Sequence, residues 1–208
     1  MTSPSPLLYD TYYHIYNRGV NRENIFVEER NYEYSMGLYA KYIEPVAETF
    51  AYCLLRNYFH VLVRVKSEDE IQFLRVSETL RNSTRKKIKE PSGQFSDFFN
   101  AYAKGINKTY ARTGSLFQHP FGRVPVASAT HFFNAVRYIH QNPQKHKFVD
   151  DFRDWRYSSY GVLLSEKPTR LKRDVVLDWF GNRQQYLELH AEWVTDAQMR
   201  WFVEGDDD

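Results

Sequence analysis

The chain of 208 residues contains a single cysteine, Cys53. That scarcity excludes an intramolecular disulfide and paired-cysteine zinc chemistry, and it suits a reducing cytoplasm. No apolar run approaches the length of a membrane span or a signal-peptide core, so a soluble, unexported, cytoplasmic protein with no membrane partner is expected. Strong net charge is missing too. Lys and Arg number 28 against 26 Asp and Glu, leaving +2, too little to demand a polyanionic partner. The charges are nevertheless uneven: basic residues crowd positions 81–123 and the chain ends EGDDD, an asymmetry that permits nucleic acid without requiring it. Internal repeats and low-complexity tracts are absent. What is abundant is aromatic: 16 Tyr, 15 Phe and 4 Trp, material for a core or for stacking on bases. The length accommodates one well-packed core with an appendage.

Order along the chain follows from periodicity and breakers. Residues 1–8 read as a disordered start, and YYHIYNR (12–18) as a strand that stops at the turn signal beginning Arg18-Gly19. Tyr32, Met36, Tyr39, Tyr42 and Ile43 fall at helical spacing and halt before Pro45. Two runs, 49–55 and 58–65, separated by Arg56-Asn57, predict an antiparallel hairpin. After a polar, lysine-rich stretch over 69–89, Phe95, Phe98, Phe99, Tyr102, Ile106 and Tyr110 form one apolar stripe of a strong helix, with Lys104, Lys108 and Arg112 off it. Residues 114–126 hold two short β-like pieces. A Ser128 or Thr130 cap then opens a helix carrying Phe132, Val136 and Ile139, which Pro143 ends. Tyr138 and Asn142, four apart, share a face of that helix beside its core stripe. Residues 161–208 read as a mostly helical extension with an acidic tail.

The alternation in LLRNYFHVLVRV (54–65) puts Phe59, Val61, Val63 and Val65 on one side of a strand and Tyr58, His60, Leu62 and Arg64 on the other. With the first strand contributing Tyr12, His14, Tyr16 and Arg18 to the second side, the β-α-β-β-α order predicts an α+β fold. It is a ferredoxin-like (split βαβ) antiparallel sheet with helices packed on one face and the other face left to bind. Histidines and tyrosines on an open sheet face invite base stacking or metal chemistry.

YYHIYNRGVNRENIF, AYCLLRNYFHVLVRV, QFSDFFNAYAKGINKTYARTGSLFQHPFGRV, YIHQNP and DDFRDWRYSSY together resemble the IS200-like and REP-associated tyrosine transposases, single-tyrosine members of the HUH endonucleases. The likeness covers most of residues 12–160, and on it residues 9–160 are taken as an IS200-like domain. The family pattern in the strand is asparagine followed by histidine, an apolar residue and a second histidine; here Asn57 is followed by Tyr58, Phe59 and His60.

The resemblance implies a homodimeric, metal-dependent enzyme of DNA transposition that cleaves and rejoins single-stranded or hairpin DNA. By position, Tyr138 is the nucleophile, His60 and Asn142 are ligands of a Mg²⁺ or Mn²⁺ ion, and Tyr58 stands where the first ligand belongs. A phenol activated by a nearby cation attacks phosphorus and forms a 5′-phosphotyrosine as a 3′-OH leaves. Because a neutral phenol is a poor ligand, Tyr58 implies impaired cleavage with DNA binding kept. Arg18, Lys104, Lys108, Arg112 and Arg123 are the expected phosphate contacts, while Gly122 stands where the resemblance implies a lysine. His14 and His140 are read as structural or supporting. Two alternatives remain open: a non-catalytic hairpin-DNA binder derived from such an enzyme, and an RNA-binding sheet module, which would lack an RNP1-like motif. The site assignment requires Tyr58, His60 and Tyr138 on the sheet face opposite Phe59, and a His60 walled in by apolar core side chains would sink it.

Overall fold

The computed structural model describes residues 5–81 and 88–199. β1 (Tyr12–Arg18) leads through a short 3-10 turn to α1 (Glu29–Tyr42), and β2 (Ala47–Leu54) and β3 (Tyr58–Val65) follow as a hairpin. The Leu55 N–H bonds the Tyr58 carbonyl at 2.8 Å, closing the two-residue turn around Arg56 and Asn57. α2 (Glu68–Arg81) fills the start of the stretch expected to be polar and lysine-rich; the basic residues at 82–87 lie outside the described residues. α3 (Pro91–Thr109) begins with proline in its first turn, where no intrahelical donor is lost. β4 (Gly122–Pro125) and α4 (Ala129–Lys145) complete the unit. Ser128 caps α4 by accepting from the His131 N–H at 3.1 Å. The helix runs two residues past Pro143, beyond the expected stop. Proline removes one donor, but the next turn still closes, with the His146 N–H on the Asn142 carbonyl at 3.0 Å.

The strands lie in the order β2-β3-β1-β4 with every neighbouring pair antiparallel. This is the ferredoxin-like arrangement expected from the sequence. One face carries Tyr13, Ile15, Phe59, Val61, Val63 and Val65, and it packs on Phe95, Phe98, Phe99 and Tyr102 of α3 and Tyr32 and Tyr39 of α1. Each large apolar side chain buried there contributes about 1.5–3 kcal/mol. Leu7, placed by sequence in an irregular tail, joins this core at 5 % exposure, and its N–H bonds Ser92 Oγ at 2.8 Å.

The opposite face is not left open, which corrects the expectation of helices on one side only. Phe132, Ala135, Val136 and Ile139 of α4 pack on Phe50, Ala51, Cys53 and Leu62. An apolar helical stripe has to be buried somewhere, and that side of β2 and β3 is the surface within reach. The extension then covers α4 in turn, through α5 (Tyr160–Leu164), α6 (Arg173–Trp179), α7 (Arg183–Ala191) and the single turn α8 (Asp196–Met199). On its way it shields the free edge of β2, where the Ser159 N–H meets the Tyr52 carbonyl and the Leu54 N–H meets that of Tyr157, both at 2.9 Å.

A buried polar chain ties the extension to α4. His190 Nδ1 donates to the Tyr186 carbonyl at 2.7 Å, so in a neutral ring Nε2 accepts from His140 Nδ1 at 2.9 Å. His140 Nε2 is thereby left to accept from Ser159 Oγ at 2.7 Å. Gln141 Nε2 donates to the Glu192 carbonyl at 2.7 Å, and so does Arg137. Burial is the main reason that His140 sits well below the usual imidazole range and that His190 is pushed down to about 3. The unfolded chain takes up these protons near pH ~6.5 and the folded chain does not, so stability is complete above that pH and falls below it. Urea unfolding at about pH 7.5 and about pH 5.5 should show losses on the order of 1 kcal/mol per pH unit for each histidine. His140→Gln should make that dependence shallower.

Candidate active site

The site assembles where β1, β3 and the far half of α4 meet. The β1–β3 register sets Tyr16 opposite His60 and Arg18 opposite Tyr58, so these four side chains share one side of the sheet. On α4, Tyr138 and Asn142 follow each other by one turn and face that side. The Tyr138 ring stands edge-on to His60 at 5.6 Å and to His14 at 6.2 Å between centroids. Tyr58, His60, Tyr138 and Asn142 therefore come together on one side of the sheet. His60 is fully buried there, ringed by His14, Tyr16, Tyr58 and Tyr138, the last two of which belong to the apolar layer beneath α4.

Three hydrogen bonds run within this group. His14 Nε2 and His60 Nδ1 share a hydrogen bond of 2.8 Å. Tyr58 donates its hydroxyl to Asn142 Oδ1 at 3.0 Å, and Asn142 Nδ2 returns to the Tyr138 carbonyl at 3.1 Å. Burial pushes the His60 pKa down to about 3, with neighbouring His146, Arg18 and Lys145 lowering it further. The histidine is thus uncharged, and the charged groups acting on it are all basic.

Mg²⁺ and Mn²⁺ favour hard oxygen ligands, preferably anionic. The residues here are one imidazole tied to another, an amide oxygen occupied by a phenol, and a neutral phenol. Among the described residues, no cluster of three or more His, Cys, Asp or Glu is arranged as a metal site. A divalent ion bound to the Asn142 amide oxygen would have to displace the Tyr58 hydroxyl from it.

The expected phosphate contacts separate. Arg18 flanks the site, its guanidinium carbon 5.7 Å from the Tyr58 ring centroid. Lys104 and Lys108 belong to α3, which covers the opposite face. Arg123 pairs in register with Ile15, on that opposite face, and lies 3.8 Å over the Phe121 ring. Arg112 is held by Glu23 and, at 3.0 Å, by Asn107 Oδ1. At position 122 a β-carbon would come within 2.2–2.5 Å of the Tyr16 ring, so that ring takes up the room where a lysine was anticipated. Sequence reading also passed over Lys145 and His146. The signal was available for Lys145: seven residues from Tyr138 is two helical turns, hence the same face, and its Nζ lies 5.3 Å from the Tyr138 ring centroid. The His146 ring lies 5.2 Å from that of Tyr58.

A strand histidine and a helix-borne tyrosine thus meet on one side of a four-stranded antiparallel sheet. No family model matches the chain. A "Putative REP-associated tyrosine transposase" of Haemophilus influenzae is 28% identical over 113 residues, which are 54% of this chain and 58% of that protein, so the match spans little more than half of the relative's length. A solved structure, of a REP-associated tyrosine transposase bound to a REP hairpin, superposes with a TM-score of 0.61 at 14% identity, covering 81% of this chain and 89% of that one. In sequence the chain is similar to a REP-associated tyrosine transposase over about half its length, and in fold to a second such protein over most of it.

Removing the Tyr58 hydroxyl tests the pairing directly. Tyr58→Phe keeps the ring but deprives the buried Asn142 oxygen of its donor, which should cost about 1–3 kcal/mol. In urea unfolding the midpoint should fall with the slope unchanged.

Proposed function

We propose that this protein binds single-stranded or hairpin DNA on the side of the sheet that carries Tyr138, as a transposase-derived protein in which strand cleavage is impaired. The observation that carries the reading is the Tyr58 to Asn142 hydrogen bond. It closes, with a neutral donor, the position where a second strand imidazole would be needed. The structural relative is described as bound to a REP hairpin, and a hairpin is therefore the first ligand to try. A homodimer, implied by the family resemblance, belongs to the same proposal; sedimentation of the free and hairpin-bound protein reads it out. So does a cytoplasmic location, in keeping with the lack among the described residues of any helix long and apolar enough to cross a membrane.

A second reading, retained cleavage and rejoining, is favoured by Tyr138 standing edge-on to His60 at 5.6 Å. In that reaction the phenol oxygen bonds phosphorus, the bond to the 3′ oxygen breaks, and the phenol proton leaves for solvent while the departing 3′ oxygen takes one up. An RNA-binding module working through an open sheet has no such support, because α4 covers the face it would use.

Tyr58→His distinguishes the readings. Replacing the phenol should raise Mn²⁺ affinity, followed by titration of the ion alone, and should make a Mn²⁺-dependent covalent adduct with hairpin DNA appear or increase. Adding Tyr138→Phe should abolish the adduct and leave hairpin affinity nearly unchanged, since the lost oxygen serves attack and not backbone contact. Full adduct formation by the wild type, with no gain from Tyr58→His, would overturn the impaired reading.

A further inference from the structure

We propose that Arg18, Lys145 and His146 form a phosphate-binding mouth in front of Tyr138, holding a DNA backbone phosphodiester by direct contact where the family would use a divalent cation. The inference rests on the DNA-binding reading above and adds the groups that grip the strand there.

Three observations converge on it. The basic groups come from two elements and meet over the same pair of rings: Arg18 from the end of β1 against Tyr58, His146 against the same ring, and Lys145 against Tyr138. Arg18 Nε is buried and finds no hydrogen-bond partner among the described residues, an arrangement that leaves a forked donor for an anionic oxygen. Arg18 and Lys145 bring positive charge to the edge of the Tyr58 and Tyr138 rings from two different elements, so an anion is drawn to that edge. Basic residues in the last turn of a helix also complement its macrodipole. That role alone accounts for Lys145, but not for Arg18, which comes from the sheet.

The test is anisotropy titration of a labelled DNA hairpin with the full chain, in EDTA and in Mg²⁺. The wild type should bind within about twofold of the same affinity in both buffers, with a salt slope that falls by about one per phosphate contact removed. Arg18→Gln combined with Lys145→Gln should weaken binding tenfold or more and flatten the slope by about two. Lys145 is exposed, so Lys145→Gln alone supplies a variant that keeps the fold and should show about half of the slope change. A hairpin with one neutral methylphosphonate at the contacted position should lose affinity for the wild type and lose no more for the double variant. Hairpin binding that requires Mg²⁺, or a slope that drops with Lys104→Gln and Lys108→Gln and stays unchanged in the double variant, would overturn the mouth while leaving DNA binding standing. Failure of the wild type to bind any hairpin in either buffer would overturn the DNA reading itself.

Discussion

Everything in this molecule hangs on β3 being buried on both sides. The strand sits between β1 and β2, and its period of two sends Phe59, Val61, Val63 and Val65 into one apolar layer and Tyr58, His60 and Leu62 into another. A slip of one residue would exchange the two sets and destroy both layers at once. The polar cluster therefore inherits its position from the hydrophobic one. His60 meets Tyr138 because Phe59 and Val61 are held by α3, and because Leu62 and Cys53 are held by α4.

The same double burial decides the chemistry. An imidazole with no exposure, facing basic groups, stays neutral, and its neighbours must satisfy one another. The His14–His60 and Tyr58–Asn142 pairs are part of that satisfaction. A metal reaching Asn142 Oδ1 would have to displace the Tyr58 hydroxyl, whereas a phosphate at the rim would not.

Strand order and the two faces of β3 were legible in the sequence, because alternation is a local signal that tertiary packing then reinforces. Tyr138 and Asn142 were legible as a pair through helical spacing, and as a site only through the family resemblance. The covering of the second face was not readable. The stripe Phe132, Val136, Ile139 shows that α4 must pack, but says nothing about which sheet face receives it. His14 illustrates the same limit: alternation set it on the correct side, whereas its partner depends on the β1–β3 register. Lys104, Lys108 and Arg123 were judged by charge and by resemblance, and neither signal records that α3 and the Ile15 side lie across the sheet from Tyr138. The tie between the extension and α4 joins residues about fifty positions apart, beyond any periodicity.

The close approach of Tyr16 to Gly122 makes the two positions a packing unit. A β-carbon at 122 would meet the Tyr16 ring, so a larger residue there has to push that ring aside. The same ring stands 5.3 Å from His14 and 5.9 Å from His60 between centroids. A glycine on the outermost strand thus helps to decide where the aromatic wall beside the two histidines stands, although in register it pairs with Tyr16 and with neither of them.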